Sequence, residues 1–209
     1  MTHSRYIIMS NGKGSRWGGH LGIPKQLIEI GGETLLARIA RQVRELDPEA
    51  EVIVSSSDPR HDTPGVRRHT PARNEIELDR FVPELLVDGS CFLYGDTFYS
   101  DEAMAEIVHS GHEALNFFGD ERSIVGVSCR RAEVMMKHLE RVRAAYLAGD
   151  LESCIGWQVY QAYIGKLFEP LHIGAEYHHL TGKTSGFNSP EDLRDFIDRI
   201  GQKLECAHA

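Results

Sequence analysis

An apolar run, Tyr6-Ile7-Ile8-Met9, stops abruptly in a loop that reads Ser10-Asn11-Gly12-Lys13-Gly14-Ser15-Arg16. A strand that ends in a glycine-rich loop narrows the choice of folds, because it calls for a sheet whose strand ends lie open to a ligand. Glycine has no Cβ to hold an anion away from backbone N–H groups, and it takes positive φ without strain. Lys13, Arg16 and, after Pro24, Lys25 gather positive charge in a chain whose net charge is −8. Local positive charge on an acidic chain points to a phosphate site, not to a surface for polyanions.

Two common phosphate loops do not match. The P-loop spacing Gly-x-x-x-x-Gly-Lys-[Ser/Thr] is absent. The dinucleotide fingerprint needs a third glycine where Trp17 stands, with the nearest glycines at Gly18 and Gly19. What remains is Gly-x-Gly-x-Arg, a spacer, and Pro24-Lys25-Gln26. Further along come Ile30-Gly31-Gly32-Glu33-Thr34-Leu35-Leu36, Phe92-Leu93-Tyr94-Gly95-Asp96 and Phe187-Asn188-Ser189-Pro190-Glu191-Asp192-Leu193.

In this order, across residues 5 to 195, these segments resemble the nucleotidyltransferases that join a nucleoside triphosphate to a phosphorylated small molecule. That family includes sugar-phosphate nucleotidyltransferases, methylerythritol phosphate cytidylyltransferases and molybdenum cofactor guanylyltransferases. The resemblance implies a nucleotide-diphospho-sugar transferase-like, GT-A type fold, Mg²⁺ as cofactor, and release of pyrophosphate.

Length and composition agree with one α/β domain spanning residues 1–209. The chain is long enough for a proper core, and its 41% hydrophobic and 26% charged residues are ordinary for a folded protein. The acidic balance and the lack of a Lys/Arg run argue against nucleic acid as a partner. No stretch reaches the roughly 18–20 apolar residues that cross a bilayer, and no signal-peptide h-region follows the N-terminus. The expectation is a cytoplasmic protein without membrane partners. Cys91, Cys129, Cys154 and Cys206 are scattered, with no Cys-x-x-Cys pair, so neither zinc nor a disulfide framework is expected. His178-His179 and the His109/His112 spacing do not form a zinc set either.

Strands are expected at 4–9, 51–55, 66–69, 91–94 and 124–128. Helices are expected at 33–46, 75–87, 101–110 and 132–147, with a last one from Pro190 to about Leu204. Asp101 and Ser189 read as helix caps. Alternating strands and helices imply a mostly parallel, Rossmann-like sheet covered by helices on both faces. Residues 150–186 are the hardest to read and form the expected substrate-side subdomain. In such sheets ligands bind beyond the carboxyl ends of the strands, where both the 10–25 loop and Asp96 fall.

The chemistry then follows residue by residue. Gly12 and Gly14 cradle the phosphates, joined by Ser10, Asn11 and Lys13. Arg16 makes a forked contact to the leaving pyrophosphate, and Lys25 contacts the α-phosphate and the incoming phosphate. By resemblance Asp96 holds the metal and Asn188 supplies a neutral second ligand. Gly186 stands where several relatives carry an acidic residue. The resemblance also implies that the loop after the third strand cradles the base, which makes Arg73 and Asn74 candidates for its edge, with CTP ahead of GTP and UTP, ATP and dTTP behind. Trp157, Lys166 and Lys183 are candidates for the second substrate, with Trp157 equally suited to the core. A homodimer is one arrangement the resemblance implies.

Two other readings remain open. A nucleotide-sugar-dependent glycosyltransferase of related fold usually holds metal through Asp-x-Asp, and here Thr97-Phe98 follows Asp96. A non-catalytic nucleotide-binding protein accounts for Gly186 and the neutral Asn188.

Overall fold

Strand β1 (Arg5–Met9) sends Tyr6 and Ile8 to one side of its sheet and Ile7 and Met9 to the other, and all four are buried. A strand with no wet face has to be central. The computed structural model describes residues 4–206 except 111, 112, 121, 171, 172 and 175, and in it β1 lies between two parallel neighbours.

In chain order the elements are β1, β2 (Glu29–Ile30), β3 (Glu33–Thr34), α1 (Leu35–Leu46), β4 (Glu51–Ser55), β5 (Arg67–His69), β6 (Ser90–Tyr94), β7 (Thr97–Tyr99) and α2 (Asp101–His109). There follow β8 (Leu115–Gly119), β9 (Ile124–Cys129), α3 (Ala132–Leu147), α4 (Gly156–Tyr163), β10 (Tyr177–His179), β11 (Thr184–Gly186) and α5 (Pro190–Cys206). The main sheet has seven strands in the order β10-β8-β9-β6-β1-β4-β5, and β9 alone runs antiparallel to both its neighbours. Tyr6, Val52 and Cys91 share one level of the register, and Ile7, Ile53 and Phe92 the next.

Helices cover both faces. The Tyr6–Ile8 face packs on Leu36, Ile39 and Val43 of α1 and on Met104, Ile107 and Val108 of α2. The Ile7–Met9 face packs on Met135, Leu139 and Val142 of α3 and on Val159, Tyr160 and Ala162 of α4. A third cluster, Trp17, Ile28, Leu35, Phe187, Leu193 and Phe196, ties the long loop after β1 to the C-terminal segment. Cys91 and Cys129 are core residues. Burial pushes the Cys91 thiol far above its ordinary pKa and Cys129 up to about 12, so both stay protonated.

Several details differ from the sequence expectation, including Glu33–Thr34, which forms β3 instead of the first turn of a helix. Residues 75–87 form two short 3-10 turns, Glu77–Arg80 and Pro83–Leu85, instead of a helix. Pro83 lacks an N–H and pushes Val82 out of the helical region, which breaks the apolar spacing into two pieces. Ser100, not Asp101, caps α2: its Oγ accepts from Ala103 N at 3.2 Å, while Asp101 accepts from Gln42 Nε2 at 2.7 Å. Strand β8 was not expected, because Leu115-Asn116-Phe117-Phe118 is too short to show a period. Its Phe117 and Phe118 fill opposite faces of the sheet.

Candidate active site

The glycine loop leaves β1 at the carboxyl edge of the sheet. Ser10 N donates to Ser55 O and Gly95 N to Met9 O, both at 3.0 Å, so the ends of β1, β4 and β6 are laced together where the loop starts. Gly14 has φ +59°, and its carbonyl accepts from Trp17 N at 3.0 Å, a turn that favours a residue without Cβ. Trp17 is buried and its Nε1 donates to Ile23 O at 2.9 Å, which closes the loop onto the third core cluster. Pro24 then leads into a 3-10 turn, Lys25–Leu27, that turns Lys25 inward.

Lys25 Nζ lies 2.5 Å from Asp96 Oδ2, with the two side chains 8% and 14% exposed. Asp96 follows β6 directly, and Tyr99 fixes that turn: its hydroxyl accepts from Tyr94 N at 3.0 Å and donates to Val125 O at 2.5 Å. The C-terminal segment arrives on the same turn. β11 pairs antiparallel with β7, Gly186 opposite Thr97, and Phe187 N donates to Asp96 O at 2.8 Å. The next residue, Asn188, accepts from Arg16 Nη2 at 3.2 Å through its Oδ1. Ser189 and Asp192 close α5 as a capping box: Asp192 Oδ2 accepts from the N–H groups of Asn188 and Ser189, each at 2.8 Å.

The result is a cleft of about 410 Å³. One wall is the loop from Asn11 to Arg16 with Lys25. The facing wall is Asn74–Glu77 with Arg80, and Tyr146, Glu152, Ser153, Cys154 and Asn188 complete it. A second hollow of about 490 Å³ lies along the glycine loop between Ser10–Gly14 and Ser56–His61. Asn11 is oriented by its neighbour. Ser57 N donates to Asn11 Oδ1 at 3.0 Å, which leaves Asn11 Nδ2 buried without a partner, as is Ser10 Oγ. Burial raises the pKa of the nearby Tyr94 hydroxyl, against the pull of Arg80, and keeps it protonated.

Of the sequence-predicted residues, Asn11, Gly12, Lys13, Gly14, Arg16, Lys25, Asn74 and Asn188 line one cleft, and Asp96 joins them through Lys25. Ser10 lines the second hollow, and Arg73 a separate cavity floored by Phe81 and Val82. Trp157, Lys166 and Lys183 are not brought there. Trp157 stacks on Tyr177 with centroids 5.5 Å apart, and Lys166 pairs with Glu169 at 3.0 Å. The Lys183 carbonyl accepts from Ser100 N, and Lys183 N donates to Ser100 Oγ. His178 faces Glu106 at 3.5 Å, His109 Nδ1 lies 2.9 Å from Ala105 O, and His112 lies outside the described residues. Arg80 and Tyr146 carried no motif and were missed, while Glu152–Cys154 falls in the expected substrate-side region without having been singled out; only the fold brings them to the loop.

No group of three His, Cys, Asp or Glu side chains able to hold a metal occurs among the described residues. Asp96 and Asn188 offer hard oxygen donors, a set that fits Mg²⁺ when substrate phosphates and water complete its shell.

The MobA-like NTP transferase domain model matches residues 6–115, which contain the glycine loop, Lys25 and Asp96. The chain belongs to the MobA-like NTP transferase domain family. A 52-residue stretch is 46% identical to the bifunctional enzyme IspD/IspF of Clavibacter michiganensis subsp. michiganensis, a match that spans 25% of this chain and 12% of that protein. Among solved structures, the CTP:phosphocholine cytidylyltransferase LicC from Streptococcus pneumoniae superposes with a TM-score of 0.66 at 13% identity, over 96% of this chain and 100% of that one. The inositol-1-phosphate CTP transferase from T. maritima gives 0.62 at 13% identity, over 98% and 97%. At such identities these two show that the MobA-like chain shares their fold. No helix among its described residues is long and apolar enough to cross a membrane.

Proposed function

We propose that this MobA-like chain is an Mg²⁺-dependent nucleotidyltransferase that couples a nucleoside triphosphate, CTP in the first place, to a small phosphorylated or phosphonate substrate. The observation that carries the proposal is the Lys25–Asp96 ion pair beneath a glycine loop that also presents Lys13 and Arg16 to the same cleft. An oxygen of the acceptor's phosphate or phosphonate attacks the α-phosphorus, a new P–O bond forms, and the bond to the β-phosphate's bridging oxygen breaks. The electron pair leaves with pyrophosphate. Such a transfer is driven by positioning and by neutralising charge.

The backbone of Gly12 and Gly14, with Lys13, holds the β- and γ-phosphates. Arg16 forks onto the departing pyrophosphate, kept in place by Asn188. Lys25 contacts the α-phosphate and the incoming oxygen, and Asp96 keeps its ammonium aimed. Asp96 and Asn188 would hold Mg²⁺, which when bound offsets charge on the phosphates. Asn11, through its unpaired Nδ2, and Asn74 face the nucleoside. The acceptor meets the wall formed by Tyr146 and Glu152–Cys154, so the substrate side of residues 150–186 is its first few positions. Relatives in fold described as acting on CTP support the choice of base.

A thermal-shift panel of CTP, GTP, UTP, ATP and dTTP, each with and without Mg²⁺, tests this. A ligand at a hundredfold excess over its Kd adds about 2.7 kcal/mol. An Mg²⁺-dependent rise with CTP above the others is the expected result. A rise with a nucleotide-diphosphate sugar and none with any triphosphate would replace the reading with a glycosyltransferase.

A further inference from the structure

Arg80 belongs to none of the motifs, yet it lies against the first glycine of the loop. It comes from the 3-10 turn on the facing wall of the cleft, and its guanidinium covers Gly12. A Cβ at position 12 would meet Arg80 Nη2 at 3.0 Å and Cζ at 3.2 Å. A Cβ there would push the guanidinium back by a few tenths of an ångström, so the glycine allows its closest approach. In the same pose Arg80 Nη2 pairs with Glu77 Oε1 at 2.8 Å, and the two side chains are 23% and 46% exposed.

The backbone beneath this pair is pinned. Asp79, whose side chain is 1% exposed, accepts from Glu75 N at 2.8 Å and Ile76 N at 3.0 Å, and it pairs with Arg143 of α3. A change of partner at Arg80 is therefore a rotation of one side chain and needs no movement of the wall. The present partner is weak, because an exposed i,i+3 ion pair contributes little. A phosphate group offers the same guanidinium a forked, doubly charged acceptor.

We propose that Arg80 is a further polyphosphate-binding cation of this cleft and that Glu77 holds it in reserve until a polyphosphate displaces the carboxylate. The inference rests on the triphosphate reading of the cleft and extends it to a residue outside the glycine motif. Its signature is one of sign. Arg80 and Glu77 form one ion pair, and a purely structural pair would respond alike to loss of either member. Here the two losses act in opposite directions. Without Arg80, binding weakens. Without the Glu77 charge, binding tightens, because a competitor for the guanidinium and a repulsive charge both disappear.

The experiment is calorimetric titration of CTP and of inorganic tripolyphosphate into the whole chain, as wild type, Arg80→Gln, Arg80→Lys and Glu77→Gln. Melting curves establish that each variant is folded. Arg80→Gln should raise Kd for both ligands about tenfold, and Arg80→Lys should recover part of the loss. Glu77→Gln should lower Kd about two- to fivefold. Weaker binding in Glu77→Gln overturns the proposal and makes Glu77 a positioning residue. Unchanged binding in Arg80→Gln overturns it outright. A wild-type chain that binds neither ligand overturns the triphosphate reading, and this inference with it.

Discussion

Lys25 Nζ and Asp96 Oδ2, 2.5 Å apart, join the turn that ends the glycine loop to the carboxyl end of β6, the middle strand of the main sheet. Each partner is nearly enclosed, so each fixes the direction of the other. Lys25 lines the cleft, and the carboxylate holds its ammonium in place there.

Lys25→Ala and Asp96→Ala should each lower turnover about 10²–10³-fold, while the purified variants keep cooperative melting. Because the two groups touch, the double variant should lose less than the product of the single losses. Wild-type turnover in either single variant would take that residue out of the reaction.

Gly95 carries the chain from β6 to Asp96 with no room to spare. A Cβ there would lie 3.0 Å from Met9 O and 3.2 Å from Ile8 Cγ2, and would press on Ser10 Oγ. The nearest obstacles include backbone, which cannot rotate away. Gly95→Ala is therefore expected to destabilise the protein by about 1–3 kcal/mol and to lower turnover further by moving Asp96. Urea titration beside steady-state rates checks both, and an unchanged midpoint would mean that the strand end is looser than described.

Asp79 gives a dependence at low pH. Burial alone would raise its pKa, but the Ile76 amide, the Arg143 guanidinium and the Glu75 amide together hold it below the ordinary carboxylate value. A carboxyl with a lowered folded pKa contributes stability above its unfolded value of about 3.9. That contribution is lost as pH falls through the folded value. Asp79→Asn should lower stability at pH 7 and flatten the decline in acid, measured as the denaturant midpoint between pH 7 and pH 3. A decline as steep as in wild type would assign it to other carboxylates.

His61 acts nearer neutrality. It is 3% exposed, and its Nδ1 lies 2.7 Å from Ser56 Oγ. Burial lowers its pKa, opposed by Asp58 and assisted by Arg60 and Arg68. The folded protein therefore favours the neutral ring, and stability falls as pH drops from about 6.5, the unfolded value, through the lower folded one. Melting temperatures at pH 7.5 and 5.5 should differ more in wild type than in His61→Gln. His138, lowered chiefly by burial and also by Lys137 and Arg141, leaves a residual slope. Equal slopes in the two proteins would remove His61 from the account.

The sequence was most legible where chemistry and backbone geometry coincide. The glycine loop, Pro24-Lys25 and Asp96 each mark a local conformation as well as a charge; the loop and Lys25 line one cleft, and Asp96 reaches it through Lys25. Helix α3 was readable at both ends from its apolar period alone. Residues 75–87 misled because their apolar spacing suits a helix, whereas Pro83 decides the backbone. Arg80 could not be picked out, since its nearness to Gly12 is created by the turn that carries it and leaves no spacing in the chain. Trp157 and Lys166 had suitable chemistry, but they stack on Tyr177 and pair with Glu169 outside the cleft, a placement that no local spacing encodes.

The pairing of β11 with β7 and the burial of Phe187 against Trp17's cluster also set an order of events during synthesis. The cationic loop leaves the ribosome well before the segment that sets Asn188 against Arg16. A nascent chain can thus assemble much of its sheet while the cleft still lacks its last wall. Completion of this pocket reports that translation has passed β11 and that Phe187 has docked in Trp17's cluster.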